Sequence, residues 1–155
     1  MLFKNLIRLA LLACVCTMPL AAKAQDRATK EEAVAMVTKA GEYLKQNGVE
    51  KAAAAFNDPK NMEFRNKDLY IFMFRLSDGT RLAHGTKQAL VGKSIADMSD
   101  VKGKAYGKEM MDAMSKAETA WVDYFFLDPI QNEIKEKSSY LIKVGEYAVA
   151  GGVYK

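Results

Sequence analysis

Eight residues constrain this chain more than any others. Leu69 to Leu76 reads Leu-Tyr-Ile-Phe-Met-Phe-Arg-Leu, apolar or aromatic at every position but Arg75. A run of that length and aromatic content reads as strand, and its lack of a wet side predicts a central strand covered on both faces. Alternation then places Tyr70, Phe72 and Phe74 on one face and Leu69, Ile71 and Met73 on the other. Ser77-Asp78-Gly79-Thr80 supplies turn chemistry, and Arg81 to Gly85 is expected to return as the second arm of a hairpin.

A strand with two buried faces needs cover, and the preceding residues provide it. Thr29-Lys30-Glu31-Glu32 has capping-box spacing, and Ala33, Val37, Ala40 and Leu44 mark one helical face that ends at Asn47-Gly48. A shorter helix, Val49 to Phe56, is stopped by Asn57-Asp58-Pro59. Tyr106, Met110, Ala113, Met114 and Ala117 recur at helical spacing between Lys104 and Ala117. Three more strands are expected at Trp121–Phe126, Ser138–Val144 and Tyr147–Tyr154, with Gly145-Glu146 as a two-residue turn. This order predicts an α+β fold, an antiparallel sheet of about five strands with helices packed on it, rather than a parallel βαβ sheet.

The first 24 residues read as an export signal. Lys4 and Arg8 precede an apolar run from Leu9 to Leu20, and Ala22-Lys23-Ala24 offers the small-x-small cleavage pattern. The run from Leu9 to Ala22, interrupted by Thr17 and Pro19, is short for a bilayer core that needs ~20 residues. Cleavage before Gln25 leaves a single domain over residues 25–155, periplasmic or secreted. The alternative is a lipoprotein acylated at Cys14, after Leu11-Leu12-Ala13. The formal charge of +4 is mostly that of the signal: residues 1–24 carry Lys4, Arg8 and Lys23 and no acid, so 20 bases face 19 acids in the remainder. The usual electrostatic argument for a nucleic-acid partner therefore loses its premise. Cys14 and Cys16 both fall in the signal, so the mature chain has no disulfide, thiolate nucleophile or cysteine-ligated zinc.

Other chemistry finds little support. None of the six serines sits in a Gly-x-Ser-x-Gly elbow, His84 is the only histidine, and no phosphate-cradling glycine pattern occurs. No cofactor and no metal site is expected. What stands out is a set of amphipathic side chains on the presumed strands: Tyr70, Phe72, Trp121, Tyr124, Tyr140 and Tyr154, with His84 and Lys137. They fit the lining of a small pocket, apolar in its walls and polar at a few points, or simply a core.

Asp68-Leu69-Tyr70-Ile71-Phe72, Asp78-Gly79-Thr80 through Ala83-His84-Gly85, Leu90-Val91-Gly92-Lys93, Trp121-Val122-Asp123-Tyr124, Lys137-Ser138-Ser139-Tyr140 and Gly152-Val153-Tyr154 together resemble the second type of single Cache domain. The resemblance covers nearly all of the mature chain. It implies an extracytoplasmic sensor domain with a PAS-like antiparallel sheet and a long N-terminal helix along it. It further implies a small organic acid such as acetate, propionate, pyruvate or lactate as ligand. Family members usually lie between two transmembrane helices of chemoreceptors or sensor kinases. With no second apolar span before Lys155, the expected form here is free-standing and exported, a monomer or homodimer, with a membrane-bound sensor kinase or chemoreceptor as partner. Phe125-Phe126-Leu127-Asp128-Pro129 stands where the family more usually has Lys-Trp-x-x-Pro.

A short carboxylate stays in a pocket only if charged or well-aimed donors replace its lost hydration. Lys137 is the candidate cation; Tyr70, Tyr124, Tyr140 and His84 are candidate hydrogen-bond donors, and Phe72 and Trp121 would enclose the alkyl end. Asp123 is expected either to orient Lys137 or to cap a strand end. The leading expectation is thus a non-catalytic binding module whose curved sheet leaves a hollow for a molecule of a few carbon atoms. Two others stand beside it: an interaction protein with a vestigial pocket, and an enzyme using His84 as a general base.

Overall fold

The computed structural model describes residues 26–155. The expected signal, its cleavage point and both cysteines lie outside the described residues. Helix α1 (Lys30–Asn47) starts at a capping box: Thr29 Oγ1 accepts from the Glu32 backbone N–H at 3.2 Å, and Glu32 accepts from the Thr29 N–H at 2.7 Å. It ends at Gly48, and α2 (Val49–Asn57) follows immediately. Two-residue strand β1 (Arg65–Asn66) turns at once into β2 (Leu69–Arg75). Then come β3 (Arg81–His84), a single 3-10 turn at Gln88–Leu90, α3 (Tyr106–Lys116), β4 (Thr119–Leu127), β5 (Ile134–Val144) and β6 (Tyr147–Tyr154).

The strands form one antiparallel sheet in the order β1-β2-β6-β5-β4, with β3 pairing β2 beside β1. Strand β2 is central as its composition requires, and Leu69 through Phe74 are all buried. Alternation splits the core in two. On one face Ile71, Met73, Val144 and Val149 pack under Val37, Ala40 and Leu44 of α1 and Ala52 and Phe56 of α2. On the other, Tyr70, Phe72, Phe74, Val122, Tyr124, Leu141 and Tyr154 pack against Met110 and Met114 of α3 and Ile95 of the connecting segment. Among the described residues no helix is long and apolar enough to cross a membrane.

Two elements depart from expectation. Strand β1 was not expected; its turn, Lys67-Asp68, carries positive φ on a lysine rather than on the glycine or asparagine that announces such turns. Strand β5 begins at Ile134, four residues before its expected start, because its ladder with β4 continues to Leu127 opposite Ile134 through the charged residues Lys135 and Glu136. That extension matters, since it takes Lys137 out of a loop and into the sheet.

Candidate functional site

The second face of the sheet carries the site. Along β6 that face presents Ala148, Ala150 and Gly152 before Tyr154, so the middle of an otherwise aromatic surface is lined by small residues. Lys137 of β5 lies between Tyr124 of β4 and Tyr154 of β6 in register, and its stem runs over Gly152. The Lys137 side chain is fully buried, and its Nζ has no hydrogen-bond partner among the described residues. Aromatic rings surround it instead: the ammonium is 3.9 Å from the Tyr70 ring centre, 5.0 Å from Tyr154, 5.5 Å from Phe126 and 5.6 Å from Phe72. Cation–π attraction only partly offsets the lost hydration. Burial accordingly pushes the Lys137 pKa down to about 7, even though Asp68 and Asp128 favour the charged form.

Strand β3 contributes two groups through a bulge. Phe72 pairs with His84, Met73 with Ala83, and Phe74 with Arg81, which leaves Leu82 as the extra residue. His84 and Arg81, three apart in sequence, therefore both face the aromatic side. The His84 ring is buried among Tyr70, Phe72 and Phe126, at centroid distances of 5.1, 6.1 and 5.9 Å. Its Nδ1 accepts from the Lys87 backbone N–H at 3.1 Å, so the neutral ring carries its proton on Nε2. Burial, reinforced by Lys137, Arg81 and Lys87, pushes its pKa down to about 2. A base that weak does not abstract protons efficiently near neutral pH.

Arg81 is 2% exposed; one guanidinium nitrogen donates to the Leu90 carbonyl at 3.4 Å, and Nε has no hydrogen-bond partner among the described residues. Burial lowers its pKa, with the Tyr106, Tyr124 and Tyr70 rings close by. The hydroxyls form short chains. Tyr154 donates to the Leu127 carbonyl at 2.7 Å, so its oxygen is the acceptor for Tyr70 at 3.2 Å. Tyr124 and Ser139 share a hydrogen bond of 3.0 Å. Burial raises all three phenols, Tyr70 to about 12, so they are neutral donors at physiological pH.

Beyond Lys137 lie two carboxylates, Asp68 and Asp128, both with fully buried side chains and bridged by Arg27 at 3.0 and 2.6 Å. Asp68 also accepts from the Ala28 N–H at 2.8 Å, and Asp128 from the Ile130 N–H at 2.8 Å. Burial opposes the Asp128 charge, but the Arg27 guanidinium and the backbone N–H groups of Ile130 and Gln131 outweigh it and hold the carboxyl below its ordinary range. With Lys137 protonated, the buried Arg81 and Lys137 and the half-buried Arg27 stand against two carboxylates, three cations to two anions in this cluster.

Of the residues expected to bind ligand, the fold brings together Tyr70, Phe72, His84, Tyr124 and Lys137. Trp121 and Tyr140 sit on the other face, paired at 5.2 Å beneath α1, with Lys30 Nζ 5.0 Å from the indole. Each is three positions from a chamber residue on its own strand, and an odd separation within a regular strand reverses the face. Asp123 is likewise turned away: its carboxylate accepts from Ser138 at 2.5 Å and lies 3.7 Å from Lys155. The sequence reading missed Arg81, Tyr106 and Phe126, which line the chamber with Phe72, His84, Ile95 and Tyr124. The hollow is also tighter than expected. Only about 10 Å³ is open to the centre of a water-sized sphere, about one water's worth, and Lys137 lies outside the lining of that space, with the Phe72 and Phe126 rings common to both.

Three helices on an antiparallel sheet of this order make an α+β fold of the PAS-like kind. The profile of the family single Cache domain 2 matches residues 22–153, and the chain belongs to that family. Among solved structures, a methyl-accepting chemotaxis protein from Vibrio parahaemolyticus RIMD 2210633 superposes with a TM-score of 0.68 at 21% identity, over 81% of this chain and 87% of that one. A Cache chemosensory domain, solved to show its structural basis for carboxylic acid recognition, gives 0.65 at 20% identity over 80% and 91%. The periplasmic sensor domain of a chemotaxis protein gives 0.59 at 20% over 80% and 88%. At such identities these likenesses establish the fold. Comparison with curated proteins returns no match. Cache domains are extracytoplasmic sensory modules.

Proposed function

We propose that this protein is an exported, non-catalytic receptor for one small organic monoanion, a short-chain carboxylate received by Lys137. One observation carries the reading: a fully buried lysine amine with no hydrogen-bond partner among the described residues, whose protonation gives its cluster three cations against two carboxylates. An isolated buried charge is among the costliest features a fold retains. A bound carboxylate supplies the missing acceptor and the missing charge together. Arg81 Nε and the His84 Nε2–H are further donors, and Phe72 and Phe126 enclose the alkyl end. The carboxylic acid recognised by one structural neighbour supports the same ligand class. The neighbours from chemotaxis proteins support a membrane-bound receptor or kinase as the downstream partner.

Titration calorimetry at pH 7 with acetate, propionate, pyruvate, lactate and succinate tests this reading. One-to-one binding of monocarboxylates is expected, with succinate at least about tenfold weaker because its second charge has no counter-charge inside. A flat response to the whole panel would reject the proposal. It would favour an interaction protein whose chamber is vestigial, a reading to which the tightness of the hollow lends support.

A further inference from the structure

Two aromatic rings, Tyr106 and Phe126, stand between the chamber and a surface cleft. Phe126 lines the inner chamber, and it also lines a separate surface cleft of about 210 Å³ with Lys87, Met98, Val101, Phe125 and Ile134; Tyr106 is the other residue common to both. The Phe126 ring centre is 5.5 Å from Lys137 Nζ and 5.6 Å from Lys87 Nζ, and Lys87 lines the cleft. The cleft is apolar at its rim, with Val101 68% and Ile134 47% exposed. The 10 Å³ chamber is too small for a carboxylate and is not lined by Lys137 itself, so a wall must yield for an acid to reach the ammonium.

Three walls adjoin open space, and Tyr106, 4% exposed on α3, is held by stacking on Tyr124 at 4.3 Å. Arg81 also borders a groove between α2 and β3, but it is 2% exposed, and its backbone is tied to the neighbouring segment by Arg81 N–H to Lys93 O at 3.0 Å and Gly92 N–H to Arg81 O at 2.8 Å. Phe126 is half-buried, one residue from the end of β4, and its ring carries no hydrogen bond that motion would break.

We infer that Phe126 is the specificity-determining partition of the site: it separates the chamber from the cleft, and its ring sets the length of acid the protein accepts. The inference deepens the carboxylate reading, since the tail it measures belongs to an acid anchored at Lys137. With the ring in place the alkyl end stops at Phe126. With the ring removed, chamber and cleft become one space, and a longer tail runs out along Met98, Val101 and Ile134. Lys87 and Asp100 also line the cleft, and Lys102 Nζ stands 3.9 Å from the Phe125 ring centre.

The test compares wild type with Phe126→Ala and Phe126→Trp, and with Phe126→Leu should the alanine variant fail to fold. Two readouts are used: calorimetric affinities for propionate and octanoate, and the rate at which formaldehyde with a borane reductant methylates Lys137 Nζ, read by peptide mass spectrometry. Expected are an octanoate-to-propionate affinity ratio at least tenfold higher in Phe126→Ala than in wild type, Lys137 methylation at least tenfold faster in Phe126→Ala, and slower methylation in Phe126→Trp. If propionate binds wild type but neither the ratio nor the methylation rate moves, the partition is overturned and the carboxylate reading survives. If no acid binds any variant while methylation still speeds up and slows down as stated, the ring is the partition of a chamber whose ligand is not a carboxylate.

Discussion

Replacing Lys137 with methionine is expected to make the protein more stable and unable to bind. Methionine follows the lysine stem and fills the aromatic box without a charge, so the chamber stays packed. Substituting apolar groups for buried ionic ones commonly stabilises by about 1–4 kcal/mol, and here the ion lacks even a hydrogen-bond partner. Thermal unfolding at pH 6, where the wild-type lysine is charged in both states, should show a Tm several degrees higher for Lys137→Met. The wild type also carries a pH signature. Its Lys137 pKa is lowered to about 7 in the fold, against an ordinary value of 10.5. Between these two pH values the unfolded chain holds a proton that the folded one does not, so stability rises with pH across that window. The methionine variant should lack that contribution. Carboxylate affinity should fall at least about 100-fold, the scale of losing one member of a desolvated charge pair. A structural lysine would behave in the opposite way, with stability falling and ligand binding following only as a consequence.

Gly152→Ala is expected to damage the same site from the neighbouring strand. Gly152 lies in extended β6, where alanine is sterically admissible in the backbone, so any cost comes from the space its methyl would enter. That space is taken: a Cβ there would meet Ser139 Oγ, the Ser138 carbonyl oxygen at 2.6 Å and Lys137 Cε at 2.8 Å. The carbonyl belongs to the adjacent strand and cannot turn aside, so β5 and β6 must separate or the lysine stem must leave its place. Overpacking of this kind costs about 1–3 kcal/mol, measurable by denaturant unfolding. Binding of a monocarboxylate should fall by more than tenfold in the fraction that remains folded, because the methyl displaces the ammonium. Wild-type stability and affinity in Gly152→Ala would show that the lysine stem does not need that position.

Much of the architecture follows from periodicity alone. The apolar run at 69–76 has no wet face and became the central strand; the capping box at Thr29 and the stripe Ala33, Val37, Ala40 and Leu44 set α1 and the side it buries. The same rule places Tyr70 and Phe72 on the chamber face. Applied to Trp121 and Tyr140, it also excludes them, since each is an odd step from Tyr124 or Lys137 on its own strand. Where periodicity breaks, the sequence is silent. Arg81 reaches the chamber only because Leu82 is bulged, and regular alternation from His84 would have turned it away. Lys137 follows Lys135 and Glu136 and looks solvated; only the pairing of β5 with both β4 and β6 buries it. Arg27 and Asp128 stand 101 positions apart, and nothing local reports a bridge of that kind.

The central claim is that the buried ammonium of Lys137 is the charge that takes the acid, and proton counting tests it most directly. Near pH 8 the empty site is mostly deprotonated, given a lysine pKa of about 7, and a bound carboxylate restores the ammonium. The titratable groups around it are silent in that range: His84 is neutral above about 2 and Tyr70 below about 12, the Tyr124 and Tyr154 phenols are raised, and Asp128 stays charged. Calorimetric heats for a monocarboxylate in buffers of different ionisation enthalpy should therefore give an uptake approaching one proton per acid at pH 8 and close to none at pH 5.5. Tight binding at pH 8 with no proton uptake would contradict the account.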